Sequence, residues 1–188
     1  TLREDEETGQ TLLAGMGELH LEVLVDRLQR EFNIEVNSGN PSVVYREAIR
    51  ETARATETFD RVVDEEKDLR LFAKVSLAIA PRDRDAGSVF TDERPEANLE
   101  EHPIADKDLE ELREGSLEAL SAGPLDGFPV QDVHITLLKV ETRPGETNAV
   151  ALRVAAANAV RTALKAARPA VMSPLMNLEV AVPDQMTG

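Results

Sequence analysis

The chain has 188 residues, 41% of them hydrophobic, which is enough for one or two domains with packed cores. Its formal net charge of −15 excludes a broadly basic surface for nucleic acids, because Lys and Arg side chains must replace the counterions on phosphates. A local basic patch stays open, and an acidic surface also keeps a protein soluble. The absence of cysteine excludes disulfides and thiolate metal sites, and three histidines are too few ligands for a zinc cluster.

No part of the sequence indicates a membrane protein or a secreted one. No apolar run approaches the roughly 20 residues that a membrane-spanning helix needs, and no signal-peptide pattern opens the chain. We therefore expect no membrane partner and a cytoplasmic location. Because the chain begins with Thr1 rather than methionine and ends directly after an apolar strand pattern, we also expect it to be a piece of a longer protein.

The first predicted unit is a strand, a helix and a second strand. Residues 10–14 predict a short apolar strand, and Gly15 and Gly17 mark a turn after it. Residues 34–36 predict the second strand, which runs into an Asn-Ser-Gly-Asn-Pro turn. Between the strands, apolar residues at helical spacing predict a helix that lies on a small sheet through one stripe: Leu21, Leu24, Val25, Leu28 and Phe32.

The middle of the chain predicts strands with one charged interruption. A strand is expected within residues 43–53, whereas residues 56–70 are rich in Asp and Glu and predict a loop or a weak strand pair. Residues 72–80 alternate between apolar and polar, which predicts a half-buried strand that ends at a turn over residues 81–87. A further short strand is expected at residues 88–94.

The last third of the chain predicts helices and strands in turn. A helix is expected over residues 105–121, where a Gly-Pro pair stops it, and a strand over residues 130–140. Asn148 can cap an alanine-rich helix that runs to about Ala167. A last strand is expected at residues 175–182.

Three segments carry a resemblance to one family. Residues 10–49, the helix and the Gly-Pro-Leu-Asp-Gly-Phe-Pro-Val turn within 115–133, and residues 169–188 resemble segments of elongation factor G in the same order. The resemblance implies an α+β fold. It begins with part of a ferredoxin-like domain III, as a βαβ piece, and continues with a domain IV similar to domain 2 of ribosomal protein S5. The first strand of domain V follows, and the implied boundaries are residues 1–42, 43–172 and 173–188.

The resemblance also implies a function. Elongation factor G is a translational GTPase that moves tRNA and mRNA through the ribosome, so the implied partners are the ribosome, with its rRNA and proteins, and the tRNA–mRNA complex. GTP and Mg²⁺ would be cofactors of the parent protein. The chain itself has no Gly-x-x-x-x-Gly-Lys-Ser/Thr loop and no Asn-Lys-x-Asp motif, so we expect no catalytic site, cofactor or metal within it.

In this family, two loops at the far end of domain IV enter the decoding centre, and here both depart from the family pattern. The Gly-rich first loop corresponds to residues 64–70, which carry four acids and no glycine or aromatic residue. The second loop corresponds to residues 140–147 and lacks the usual histidine and tyrosine. Carboxylates repel phosphates by up to roughly 1 kcal/mol for each close pair at the solvent edge. The residues implied to face the ribosome or tRNA are Lys67, Arg70, Thr142, Arg143, Pro144, Gly145 and Glu146.

A second candidate surface is a cationic stripe on the alanine-rich helix. A sector of about 120°, at 3.6 residues per turn, contains Arg153, Arg161, Lys165 and Arg168. This stripe would face RNA, although exposed helices carry charge in any case and a solvated face explains the same pattern. We interpret the three histidines as solvated surface residues: His20, His102 and His134.

Other functions stay open. The altered loops also suit a paralogue that recycles or protects ribosomes, and the acidic composition suits a protein-interaction module without ribosome action. An incomplete domain III would leave an apolar sheet face uncovered, so we expect the chain to self-associate through residues 10–40.

Overall fold

A computed structural model describes residues 2–5, 8–64 and 69–175. The chain divides into two compact units, one of Thr1–Val44 with Pro174–Gly188 and one of Tyr45–Ser173. Strands and helices are mixed, which confirms the predicted α+β class. Within the described ranges, no helix is both long and apolar enough to cross a membrane.

The smaller unit contains a hairpin and a helix. Strands β1 (Leu2–Glu4) and β2 (Thr11–Leu13) pair antiparallel, and helix α1 spans Glu18–Phe32. None of the α1 residues is fully buried, and Phe32 is 64% exposed. The predicted apolar stripe is therefore confirmed in part, and its partly buried members are Leu21, Leu24, Val25 and Leu28.

The strand predicted at residues 34–36 is wrong. Asn33 takes a left-handed conformation with φ 53°, and the backbone N–H groups of Asn33 and Ile34 donate to the carbonyl of Leu28. These bonds close the C-terminal turn of α1 and lead the chain away from the helix. Residues 33–45 accordingly lie in no strand.

The larger unit is built on a four-stranded sheet. Its strands are β4 (Ala53–Asp64), β5 (Leu69–Pro81), β6 (Val89–Asp92) and β7 (Val133–Glu141). Strand β3 (Arg46–Ile49) precedes them in the chain and belongs to another sheet. The order across the sheet is β4, β5, β7, β6, with β6 parallel to β7 and the other pairs antiparallel. The strands predicted near residues 43–53, 72–80, 88–94 and 130–140 are thereby confirmed.

Three helices belong to this unit. They are α2 (Glu96–Glu101), α3 (Asp106–Glu118), which continues into a 3₁₀ turn at Ala119–Ser121, and α4 (Ala149–Ala166). The helices predicted at residues 105–121 and up to about Ala167 are confirmed. The side chain of Asn148 accepts the N–H of Ala151 at 2.9 Å, which confirms the predicted cap. The sequence pattern does not predict α2.

Of the two alternatives predicted for residues 56–70, the strand pair is confirmed for the described part, in which residues 56–64 lie in β4 and residues 69–70 in β5. Helix α4 packs on β4 and β5, and the inward side chains of β4 include Phe59 and Glu57, which accepts a hydrogen bond from the Thr162 hydroxyl at 2.7 Å. Thr56 and Thr58 alternate with them on the exposed side. The charged residues conceal this alternation because an acid occupies one of the inward positions.

The core lies between α4 and the sheet. Burying one Leu or Ile side chain there contributes about 1.5–3 kcal/mol to stability. A Cβ added to Gly115 of α3 would lie 2.7 Å from the carbonyl oxygen of Arg153, so only glycine lets α3 approach α4 this closely. The fully buried residues of this core include Leu77, Ile79, Ile135, Leu137, Ala155, Ala159 and Ala163.

A second, two-stranded sheet joins the ends of the larger unit. Strand β3 pairs antiparallel with β8 (Pro169–Met172), which the sequence pattern does not predict. Glu47 of β3 is fully buried, and its carboxyl oxygens accept the N–H groups of Leu125 and Asp126 at 3.2 and 3.0 Å. These bonds hold the Gly-Pro-Leu-Asp-Gly-Phe-Pro-Val turn in place. Of the strand predicted at residues 175–182, Leu175 lies in no strand and the rest falls outside the described residues.

Candidate nucleic-acid interface

The loop between β7 and α4, residues 142–148, lies against the end of β5. The N–H of Phe72 donates to the carbonyl of Glu146 at 2.9 Å, and the hydroxyl of Thr147 donates to the carbonyl of Phe72 at 2.6 Å. Both groups of the Phe72 backbone are therefore satisfied by the loop. The loop is thus fixed to the sheet, beside the strands that lead into the first predicted loop.

The outer part of this loop is a tight turn. The N–H groups of Glu146 and Thr147 both donate to the carbonyl of Arg143 at 3.1 Å, and Pro144 is exposed between them. Gly145 has φ 78°, a conformation that favours glycine. Of the first predicted loop, Lys67 and residues 65, 66 and 68 fall outside the described residues.

Two predicted cations, Arg70 and Arg143, meet at one carboxylate. Arg70 donates two hydrogen bonds to Asp60, at 2.6 and 2.8 Å, and Nη1 of Arg143 lies 3.7 Å from Asp60 Oδ2. The bonds from Arg70 are the main cause of a lowered pKa of Asp60, with smaller contributions from the charges of Arg70 and Arg143. Each arginine side chain is still 47% exposed, so part of each guanidinium is accessible to an anion.

An aromatic ring orients one of these arginines. The guanidinium of Arg143 lies 3.7 Å from the centroid of the Phe72 ring, within the range of a cation–π contact. Phe72 is only 6% exposed, since Arg143 covers its ring. The arginine is thereby held flat on the sheet, and its position at the end of the sheet is defined before any ligand arrives.

Next to the arginine pair, two lysines likewise surround one carboxylate. Lys74 and Lys139 both donate to Oε1 of Glu141 at 3.1 Å. The hydrogen bond from Lys139, followed by the bond from Lys74, lowers the pKa of Glu141. At both Asp60 and Glu141, two cations thus face one carboxylate.

Helix α2 holds the strand that leads into the loop. Beyond the end of β6, the side-chain amide of Asn98 donates to the carbonyl of Val140 at 2.8 Å and accepts its N–H at 3.0 Å. One turn later, Nδ1 of His102 accepts the N–H of Thr142 at 3.1 Å. Side chains of this helix region therefore replace the missing strand partner of β7, and the loop is anchored from both sides.

Each of the three histidines makes a hydrogen bond within the described part of the chain. His102 has a side chain that is 18% exposed, and His134 places Nε2 2.9 Å from the hydroxyl of Thr91, so both are packed rather than solvated. Nδ1 of His20 accepts the N–H of Met16 at 3.2 Å. Across residues 2–5, 8–64 and 69–175, no group of three or more His, Cys, Asp or Glu side chains could hold a metal ion.

Arg153, the first member of the predicted stripe, faces α3. Its guanidinium lies 2.8 Å from carboxylate oxygens of Glu111 and Glu118 and 3.3 Å from Glu114. The hydrogen bonds that Arg153 donates, first to Glu118 and then to Glu111, raise the pKa of Arg153 above its usual range. The charge of Arg153 is thus matched within the unit.

The other members of the stripe are also separated. Arg168 lies beyond the end of α4 with φ 50° and pairs with Glu51 at 2.9 Å. Arg161 and Lys165 are exposed and line a shallow pocket of about 170 Å³ with residues 122–124. The structure therefore brings together only Arg161 and Lys165 of the four predicted residues.

Similarity to known proteins decides the family. The sequence pattern of Elongation Factor G, domain III matches residues 1–40, and that of Elongation factor G, domain IV matches residues 41–168. The chain belongs to the elongation factor G family. This confirms the resemblance in the first two of the segments that carry it, residues 10–49 and the segment within 115–133. By these matches, β4, β5, β7 and the anchored loop belong to the domain IV region of the family.

Individual relatives agree with this placement. Elongation factor G 1 of Bdellovibrio bacteriovorus is 41% identical over 187 residues, which covers 100% of this chain and 26% of that protein. A crystal structure of a protein from Thermus thermophilus matches with a TM-score of 0.73 and 28% identity, over 91% of this chain and 24% of that one. The chain thus spans about a quarter of the length of each.

Asp60 and Phe72 are residues of the interface that the sequence patterns did not single out. They are paired across β4 and β5. Once residues 56–64 are treated as a strand, their alternation places Asp60 on the exposed side. The contact with Arg143 has no local signal, because Arg143 and Asp60 are far apart in the chain.

Proposed function

We propose that this chain is the part of a ribosomal translocase that carries the domain IV arm, and that the loop at residues 142–147 meets the tRNA–mRNA complex on the ribosome. Membership of the elongation factor G family supports the process. The anchoring of the loop, on Phe72 from one side and on His102 from the other, supports its role as the contact point.

A mechanical role requires a stiff arm. Strands β4 and β5 have 12 and 13 residues, and at about 3.3 Å per residue such a pair spans roughly 40 Å. Helix α4 supports it along one face. A force on the loop is therefore passed to the packed unit and not absorbed by a flexible segment, and thermal motion of the bound tRNA is biased in one direction.

Two arginines, Arg143 of the loop and Arg70 of β5, adapt this end of the sheet to a polyanion. The exposed part of the Arg143 guanidinium and the neighbouring Arg70 can donate to phosphate oxygens while Asp60 holds them in place. The aromatic contact with Phe72 keeps Arg143 oriented when a phosphate replaces water around it. This is how the loop would work without the glycines and aromatic residues of the family pattern.

We assign GTP hydrolysis, with its Mg²⁺, to a part of the intact protein outside this chain. The sequence contains no phosphate-binding loop of the Gly-x-x-x-x-Gly-Lys-Ser/Thr type. Hydrolysis would gate the movement and the arm would execute it, so the chain contributes no catalytic residue to the reaction.

The deciding experiment is single-round translocation of peptidyl-tRNA by the intact protein on purified ribosomes with GTP. Arg143→Gln should slow movement about 10-fold, equivalent to about 1.4 kcal/mol, while ribosome-stimulated GTP hydrolysis continues. Arg113→Gln is the matched control, because Arg113 is 46% exposed and paired with Glu110 at 2.7 Å on α3. The control should translocate at the normal rate.

A second candidate function is the recycling or protection of ribosomes. One observation favours it: Arg70 and Arg143 share the carboxylate of Asp60, which leaves less positive charge for a tRNA–mRNA helix. GTP hydrolysis on the ribosome without movement of peptidyl-tRNA would contradict translocation. Splitting of post-termination ribosomes, or release of a bound inhibitor, would then assign a recycling or a protection role.

A further inference from the structure

We propose that the open face of the four-stranded sheet is a separate nucleic-acid surface, which binds the sugar–phosphate backbone of double-stranded RNA. The face turned away from α4, called here the open sheet face, presents Arg54, Thr56, Lys74, Ser76, Thr136 and Lys139. It lies beside the loop at residues 142–147 but does not include it. The choice of RNA over other polyanions rests on the proposed function.

The open sheet face follows from strand alternation. Val75 and Leu77 of β5 are fully buried beneath the helices, so Lys74 and Ser76 point to the opposite side. The register across the strands then aligns Thr56, Ser76 and Lys139 in one row, and Arg54, Ala78 and Thr136 in the next. Rows two residues apart are about 6.7 Å from each other.

Charge is distributed unevenly between the two sides of the unit. Helix α3 has an acid at residues 106, 108, 110, 111, 114 and 118 and two cations, Lys107 and Arg113, so it contributes a net charge of −4 to the total of −15. Asp60 and Glu141 are carboxylates at the open sheet face, and each already contacts two cations. The side chain of Arg54 is exposed and makes no hydrogen bond or ion pair with the described part of the chain, although its backbone lies in the pairing of β4 with β5. The face is therefore locally positive in an acidic protein.

Hydroxyl groups supply the remaining donors and acceptors. The hydroxyls of Thr56 and Ser76 lie 2.8 Å apart on neighbouring strands, and Thr136 adds another in the next row. Hydroxyls can both donate to and accept from the 2′-OH groups of RNA, whereas the cations pair with its phosphates. A set of this kind recognises backbone and not base sequence.

The side chains of the face favour a duplex over a single strand. Proteins that bind single strands stack bases on exposed aromatic rings, but the aromatic residue at this face, Phe72, is 6% exposed beneath Arg143. The minor groove of an RNA duplex is wide and shallow and displays the 2′-OH groups. An open, hydroxyl-bearing sheet face fits this groove better than it fits the narrow minor groove of DNA.

The test is fluorescence anisotropy of a labelled 16-base-pair RNA duplex with the 188-residue chain, at several salt concentrations. Arg54→Gln and Lys139→Gln should each weaken binding about 5-fold and flatten the dependence of log K on log salt by about 1. Arg113→Gln on α3 is the matched control and should bind normally. Circular dichroism of each variant verifies the fold.

Three outcomes would overturn the inference. They are equal binding of a DNA duplex of the same sequence, equal weakening by Arg113→Gln, and crosslinks from a photoreactive group at residue 56 of the ribosome-bound intact protein that reach only protein. Translocation by the intact protein in the absence of duplex binding would refute this surface and leave the proposed function in place. Duplex binding without translocation would support this surface and refute the proposed function.

Discussion

Helices α1 and α4 have similar lengths and opposite surroundings. Helix α4 has 18 residues and buries a continuous face that includes Leu152, Val160 and Leu164, whereas α1 has 15 residues and buries none completely. Both sequences are amphipathic. Periodicity therefore predicts that a helix forms, but the depth of its burial depends on the area of the surface that it meets. A four-stranded sheet supplies that area to α4, and a hairpin of three-residue strands accompanies α1.

The largest expected effect comes from the core beneath the helices of the larger unit. Leu137→Ala removes a side chain that is 0% exposed and should lower the free energy of unfolding by about 2–5 kcal/mol. Val23→Ala in α1, which removes a side chain that is 50% exposed, should change it by less than about 0.5 kcal/mol. Urea unfolding followed by circular dichroism measures both. Similar decreases in the free energy of unfolding for the two variants would contradict the difference in burial between α4 and α1.

A polar change tests whether the larger unit also depends on buried hydrogen bonds. Glu47→Ala leaves the N–H groups of Leu125 and Asp126 without their buried acceptor, and should cost about 3 kcal/mol. Glu51→Ala is the control, because Glu51 is 52% exposed in its pair with Arg168 and should cost much less. The urea midpoints of the two variants measure both losses of stability. A smaller loss for Glu47→Ala than for Glu51→Ala would contradict the structural role of Glu47.

The arginine pair at Asp60 makes stability depend on pH. Since the hydrogen bonds from Arg70 lower the pKa of folded Asp60, this carboxylate stabilises the fold above its ordinary pKa of about 4 and loses that contribution as the pH falls through the lowered value. Asp60→Asn should therefore reduce the melting temperature at pH 7 and converge with the unmodified chain at pH values below the lowered pKa of Asp60. Glu96→Gln, at a site without an ion pair in the described part of the chain, should give a parallel curve. Asp60→Asn and unmodified curves that stay parallel would refute the coupling.

The smallest effect on stability, and the clearest on association, is expected at α1. We expect the chain to self-associate through residues 10–40, since Leu19 and Phe32 are 74% and 64% exposed. Leu19→Ser should lower the mass measured by light scattering at high concentration. Val150→Ser, at a position of α4 that is 58% exposed, is the matched control and should leave it unchanged. A strictly monomeric unmodified chain would contradict this expectation.

The sequence alone determined much of the larger unit and the family. Strands β5 and β7 and helices α3 and α4 were predictable because their alternation or helical spacing is local, and Asn148 was recognisable as a cap because it acts on the next turn. The elongation factor G resemblance depended on short segments in a fixed order, which the chain itself displays. Ile34–Val36 misled the prediction, because its apolar residues imitate a strand while hydrogen bonds at the end of α1 decide its conformation.

The tertiary structure alone decided which charges are free. Arg153 and Arg161 share one helix pattern, yet Arg153 is clamped by α3 and Arg161 stays exposed. Likewise, Arg143 is held over Phe72, and Glu47 is buried beneath a turn that lies far along the chain. These contacts join residues that are distant in sequence, and they depend on strand register and on the approach of α3 to α4. Local periodicity encodes neither the register nor this approach. Composition therefore determines the net charge, and the fold determines where the charges lie.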